Sequence, residues 1–261
     1  MVKYQLENNN PIAVFDSGVG GISVLRELIR IMPNENYIYF GDSRNAPYGI
    51  KKKEEVRELT INCAQKLFEQ GAKGLVVACN TATSAAVRVL REMYPDIPIV
   101  GIEPALKPAV LCMPHPRVLV MATPMTIREE KFKHLMEQYE EQAEIIPLPC
   151  PGLMDFIERG DLKGEDLHKY LEDLLYSYSN NQVDAAVLGC THYPFARLQI
   201  QQVLGDKVKI FDGGEGTARE MKRRLAEKDL LSMRQEKGDI LFENSLTDDK
   251  KIELCKYLLN I

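Results

Sequence analysis

Two cysteines in this 261-residue chain share the same frame. Cys79 closes the apolar run V-V-A-C and is followed by Asn80-Thr81, and Cys190 closes V-L-G-C and is followed by Thr191-His192. Both thiols therefore fall where a buried strand stops and a polar turn begins. Hydroxyls, an amide and a helix amino terminus at such a place favour the thiolate, the reactive form of cysteine. With an ordinary pKa of about 8.5, a thiol is already a few per cent ionised at neutral pH, so it serves as base and, protonated, as acid. Cys63, Cys112 and Cys255 have no such frame and read as small buried hydrophobes. Cys190 and His192, joined by His115 or Cys150, match no zinc-ligand spacing, so no metal is expected.

A second constellation is D-S-G-V-G-G, Asp16 to Gly21, which leaves one strand and opens a helix. It lacks both the G-x-G-x-x-G spacing and the Lys-Ser/Thr of a P-loop, but a glycine-rich turn at a helix start binds carboxylates as readily as phosphates. Asp16 would repel an anion and is suited to a cation such as an ammonium group. Asp42, in G-D-S-R-N-A-P-Y-G, reads equally as a group of the site or as a turn or cap residue. Two opposed thiols, an aspartate for an ammonium and backbone donors for carboxylates together suit the Cα of an amino acid. One thiolate would remove the Cα proton from one face and the other thiol would protonate the opposite face, which is racemisation.

The elements that must place these groups alternate in type. Ile12–Phe15, Tyr37–Phe40, Gly74–Cys79, Ile97–Gly101, Val118–Met121, 144–148, 185–189 and 208–211 read as strands. Helical patterns lie between them, including a face of Ile22, Leu25, Leu28, Ile29 and Met32 stopped by Pro33, and stretches at 54–70, 82–94, 126–139, 153–159, 165–179 and 217–228. Such alternation predicts an α/β fold with parallel sheets, its strands buried on both faces. The plan occurs twice: 63 residues separate Asp16 from Cys79, and 67 separate Thr123 from Cys190 (by subtraction of their numbers). Each half would deliver one cysteine to the carboxyl end of a strand, where open α/β sheets bind ligands.

A hydrophobic fraction of 45% supports a sizeable core, and a net charge of -5 argues against nucleic-acid binding, which needs a basic face. Residues 1–11 lack the apolar stretch of a signal peptide, and Lys107, Arg117 and three prolines interrupt the longest apolar region, so no membrane span is expected. Six dispersed cysteines without a C-x-x-C pair suit free thiols in a reducing cytoplasm.

The motifs F-D-S-G-V-G-G (15–21), G-D with P-Y-G (41–49), A-C-N-T-A (78–82), G-I-E-P-A (101–105), C-P-G-L (150–153) and L-G-C-T-H-Y-P (188–194), taken in order, resemble the cofactor-independent aspartate/glutamate racemases. The resemblance runs from about Pro11 to Arg224. It implies two Rossmann-like (flavodoxin-like) α/β lobes related by a pseudo-twofold, residues 1–98 plus 207–261 and residues 99–206, with the active site in the cleft between them. It further implies interconversion of L- and D-glutamate without cofactor, D-glutamate destined for bacterial peptidoglycan, and a cytoplasmic homodimer. By matching position, Cys79 and Cys190 would be the two bases, with Asp16 assisting one and His192 the other. Glu158 would be a further assisting carboxylate, while Ser17, Tyr48, Gly49, Asn80, Thr81, Thr123 and Thr191, with Asp16 and His192, would hold the substrate. The chain departs from the family pattern at Ser43–Ala46, at Glu129 and Phe132, and at Asp212–Gly214.

Three other functions compete. An aspartate or broader racemase would differ only in its room for the distal carboxylate. A decarboxylating lyase of related fold needs one cysteine, whereas this chain has two. A non-catalytic amino-acid sensor needs neither.

Overall fold

The structure, a computed structural model, describes residues 6–246 and 248–261, so the first residues of the expected amino-terminal lobe lie outside it. From the amino end the chain forms β1 (Ile12–Asp16), α1 (Ile22–Ile31), β2 (Tyr37–Gly41), α2 (Lys53–Glu69), β3 (Gly74–Val77), α3 (Asn80–Met93) and β4 (Ile99–Gly101). It continues through α4 (Leu106–Val110), β5 (Arg117–Ala122), α5 (Pro124–Arg128), α6 (Glu130–Glu137), β6 (Glu144–Pro149), α7 (Leu153–Glu158) and α8 (Glu165–Leu175). The remainder is β7 (Ala185–Leu188), α9 (Arg197–Leu204), β8 (Lys209–Asp212), α10 (Gly214–Ala226), β9 (Ile240–Asn244) and α11 (Asp249–Leu259). Among the described residues no helix is long and apolar enough to cross a membrane.

These elements form two compact units, residues 1–102 with 214–261, and residues 103–213. The first holds a five-stranded sheet in the order β4-β3-β1-β2-β9, and the second a four-stranded sheet in the order β6-β5-β7-β8. Every pairing in both is parallel. Read as β2-β1-β3-β4 and β6-β5-β7-β8, the two orders are one flavodoxin-like plan used twice, with β9 added to the first. In this plan the chain reverses its direction of travel across the sheet between β1 and β3, and again between β5 and β7. Ligands of open α/β sheets bind beyond the carboxyl ends of the strands at that switch point.

The central strands β1, β2, β3 and β7 are buried along their whole length, as the unbroken Val/Ile/Ala/Phe runs predict. β6 and β8 correct the expectation of strands buried on both faces, for they mix exposed and half-buried positions, as does β9, a strand the sequence reading did not include. All three are edge strands, open along one side. The edge also tolerates Pro147 and Pro149 in β6, since a strand with only one neighbour can do without their N–H groups. The helix expected over 126–139 is two helices, because Glu129 adopts an extended backbone (φ −65°, ψ 133°) between α5 and α6. The stretch expected to be helical through residue 179 leaves the α-helix after Leu175 and closes with one 3-10 turn, Tyr176–Tyr178.

At the amino ends of the first unit's strands, Lys73 and Glu35 form a buried ion pair, their side chains 0% and 3% exposed. Lys73 Nζ also donates to the Asn8 carbonyl, and Glu35 Oε1 accepts the Ser232 N–H at 2.8 Å. Burial lowers the pKa of Lys73, against the raising effect of Glu35. Lys73→Met strands a carboxylate in the core and is expected to cost about 3–5 kcal/mol, read as a lower urea midpoint at unchanged slope.

Candidate active site

In the first unit the site residues gather past the carboxyl ends of β1 and β3. The Ala78 N–H donates to the Phe15 carbonyl at 2.7 Å, so the ladder continues one residue past β3 and sets Cys79 beside the turn that follows β1. Asp16 is wholly buried, and its Oδ1 accepts the Gly18 N–H at 2.8 Å, as a buried carboxylate requires. Gly21 belongs where it does because a Cβ there would lie 2.7 Å from the Asp16 Cβ and 3.0 Å from that of Ala78. Ser17 and Thr81 are buried as well.

Cys79, 6% exposed, occupies the cap position of α3 in extended conformation, with its carbonyl accepting the Thr83 N–H at 2.9 Å. The helix therefore begins at Asn80, two residues before the apolar pattern predicts. The buried Oδ1 of Asn80 accepts no hydrogen bond from any described residue. An empty buried acceptor costs roughly 1–3 kcal/mol, which a donor such as an ammonium group would recover.

Tyr48 and Gly49 lie in a 3-10 turn, Tyr48–Ile50. The buried Tyr48 hydroxyl donates to Asp42 Oδ2 at 2.7 Å, and Asn45 Nδ2 lies 3.0 Å from both oxygens of the same carboxylate. Burial, together with Asp42, raises the Tyr48 pKa far above its ordinary value, so the phenol stays neutral. Asp42 is thus the turn residue that its sequence reading allowed.

In the second unit Thr123 follows β5 and Cys190 follows β7, the places that Ser17 and Cys79 hold in the first. The Thr123 hydroxyl caps α5, accepting the Thr126 N–H at 3.2 Å, and lies 2.9 Å from the Thr126 hydroxyl. Cys190, 9% exposed, is followed by the buried Thr191 and His192. Its Sγ lies 3.6 Å from His192 Nδ1, and His192 Nε2 lies 2.9 Å from Oε1 of Glu158, the last residue of α7. Thiol, imidazole and carboxylate thus form one line. Burial pulls the His192 pKa down, but its bonds to Cys190 and Glu158 outweigh that and raise it well above the ordinary value. An imidazole so placed can pass a proton to Cys190 or take one from it.

Sequence reasoning missed the surroundings of a third thiol. Cys150, just past β6, is buried, and burial with the nearby Cys190 pushes its thiol up to about 12, so it remains protonated. The Tyr193 hydroxyl donates to the Cys150 carbonyl at 3.3 Å. Cys150 entered the sequence reading as a possible zinc ligand and as the start of the C-P-G-L motif, with no link to Cys190, and among the described residues no group of three or more His, Cys, Asp or Glu side chains is placed to hold a metal.

Relatives share this architecture and its sequence. The signature of the Asp/Glu/Hydantoin racemase family matches residues 12–221. A glutamate racemase of Clostridium perfringens is 54% identical over 253 residues, 97% of each chain. The crystal structure of Francisella tularensis glutamate racemase in complex with D-glutamate superposes with a TM-score of 0.83 at 28% identity, covering 97% of this chain and 95% of that one. The Escherichia coli glutamate racemase in complex with L-glutamate and the activator UDP-MurNAc-ala gives a TM-score of 0.83 at 29% identity, over 96% and 94%. With a signature that spans most of its length and relatives identical at more than half of their positions, this chain belongs to the Asp/Glu/Hydantoin racemase family.

Proposed function

We propose that the chain is a glutamate racemase that interconverts L- and D-glutamate by a two-base reaction at Cα. The observation that carries this reading is the repeated plan: each sheet supplies one buried cysteine two residues past the strand beyond its switch point. Relatives named glutamate racemase at 54% identity support the substrate. Cys79 and Cys190 act on opposite faces of the glutamate Cα.

In one direction Cys79 is the thiolate that removes the proton and Cys190 the thiol that delivers one; in the other direction the roles exchange. Asp16 assists Cys79, and His192, held by Glu158, assists Cys190. The empty acceptor of Asn80 takes the substrate ammonium. Ser17, Gly49, Thr81, Thr123 and Thr191 bind the carboxylates, and the Tyr48 oxygen, its proton given to Asp42, accepts from the ammonium. Cα is a weak carbon acid, so a positioned base, which typically contributes about 10²–10⁴-fold, is insufficient alone. Exclusion of water and fixed donors at the carboxylate supply the rest. The enzyme works without cofactor, in the cytoplasm, as a homodimer, and its D-glutamate serves peptidoglycan synthesis.

The test is circular dichroism of L-glutamate, D-glutamate and both aspartates incubated with protein treated with chelator and stripped of cofactors. Decay of both glutamate signals to zero with aspartate unchanged is the expected result. Stable glutamate signals would overturn the proposal.

A further inference from the structure

The carboxyl-terminal segment carries none of the family motifs, yet β9 ends on the turn that carries Asp42. Three hydrogen bonds join them. The Ser245 N–H donates to the Gly41 carbonyl at 2.9 Å, Asn244 Nδ2 donates to the Ser43 hydroxyl at 2.9 Å, and the Arg44 N–H donates to Ser245 Oγ at 2.9 Å. The Asn244 amide is fixed at both ends, because its Oδ1 accepts the Leu246 N–H at 2.9 Å. The approach is close enough to exclude a side chain at position 41, where a Cβ would lie 2.5 Å from the Gly18 carbonyl and 2.9 Å from Asn244 Nδ2.

Between the clamped residues stands Asp42. Its N–H donates to the Asp16 carbonyl at 2.9 Å, and its carboxylate receives the Tyr48 hydroxyl. With its proton committed to Asp42, the Tyr48 oxygen keeps only acceptor capacity on its free side. The direction of that lone pair depends on where the 41–44 turn holds Asp42.

We infer that Asn244, with Ser245, is a positioning residue that fixes the Tyr48 hydroxyl through the Ser43 turn and Asp42. That Tyr48 meets the substrate rests on the function proposed above; the clamp itself does not. Asn244 touches no reacting atom, and its loss loosens substrate binding more than chemistry.

Asn244→Ala is expected to raise KM for glutamate about 5- to 30-fold, the scale of one to two hydrogen bonds, and to change kcat less. In a Tyr48→Phe background the same substitution adds nothing further, because the group it positions is gone. Where Asn244→Ala reduces the yield of folded protein, Ser43→Ala removes the other end of the same bond and leaves β9 intact. A second readout needs no substrate: with 3-fluorotyrosine incorporated, the fluorine line lost in Tyr48→Phe belongs to position 48. That line shifts or broadens in Asn244→Ala and in Ser43→Ala. An unchanged fluorine line, or KM effects that simply multiply with those of Tyr48→Phe, would overturn the inference. A wild-type protein that inverts no glutamate refutes the proposed function, and the fluorine spectra then decide the clamp by themselves.

Discussion

Cys79→Ser and Cys190→Ser are each expected to lower the rate of glutamate inversion by about 10²–10⁴-fold, in both directions. Serine keeps the size of cysteine, so the buried pockets of 6% and 9% exposure refill without a cavity. It does not ionise near neutral pH, and the base is lost. In the proposed reaction each direction uses one residue as base and the other as acid, so neither variant should spare either enantiomer. Polarimetry of purified variants measures the effect, and thermal unfolding at the wild-type temperature shows that the fold is intact. A serine variant at either position that inverts glutamate at the wild-type rate would remove that thiol from the mechanism.

His192→Asn is the second large effect, expected at about 10²-fold because it leaves Cys190 in place without its proton partner at 3.6 Å. Enantiomers are equal in free energy, so kcat/KM must fall equally for L- and D-glutamate. The asymmetry appears instead in the α-deuterium isotope effect, which rises for the enantiomer whose proton Cys190 removes.

Glu158→Gln gives the corresponding pH result. Glu158 helps raise the His192 pKa, so its neutralisation lowers the pH at which the imidazolium is lost. NMR of the His192 Cε1–H group would show that midpoint move down. A raised histidine pKa stabilises the fold fully below about pH 6.5 and ceases to do so as pH rises through the folded-state value. The variant therefore loses more stability at acid pH than at alkaline pH. Equal losses at both ends would contradict the pairing.

The two thiols and the alternation of strands and helices were legible in the sequence, because both are local. An apolar run that ends in Cys-Asn-Thr or Cys-Thr-His shows where a strand stops, and the central strands are buried on both faces. What escaped depends on partners distant in sequence. Glu158 and His192 are 34 residues apart with no periodicity to join them, so only family resemblance pointed to Glu158. The closeness of Cys150 to Cys190 arises from strands that flank β5. β9, with its mixed exposed and half-buried positions, shows neither a continuous apolar run nor a clean alternation, and its place beside β2 is purely tertiary. Asp42 had a signal of its own: aspartate is favoured where a turn begins, and the Asn45 N–H closes that turn on the Asp42 carbonyl.

The most direct test of the two-base account is the fate of solvent deuterium early in the reaction. L-glutamate is converted in D₂O, and at less than a tenth of full conversion the Cα–H of each enantiomer is read by NMR after chiral separation. Two thiols on opposite faces predict that the D-glutamate formed is fully deuterated while the remaining L-glutamate still carries its proton, with the mirror result from D-glutamate. Product that retains the original proton, or label that enters substrate and product together, would mean one base serving both faces and would contradict the account.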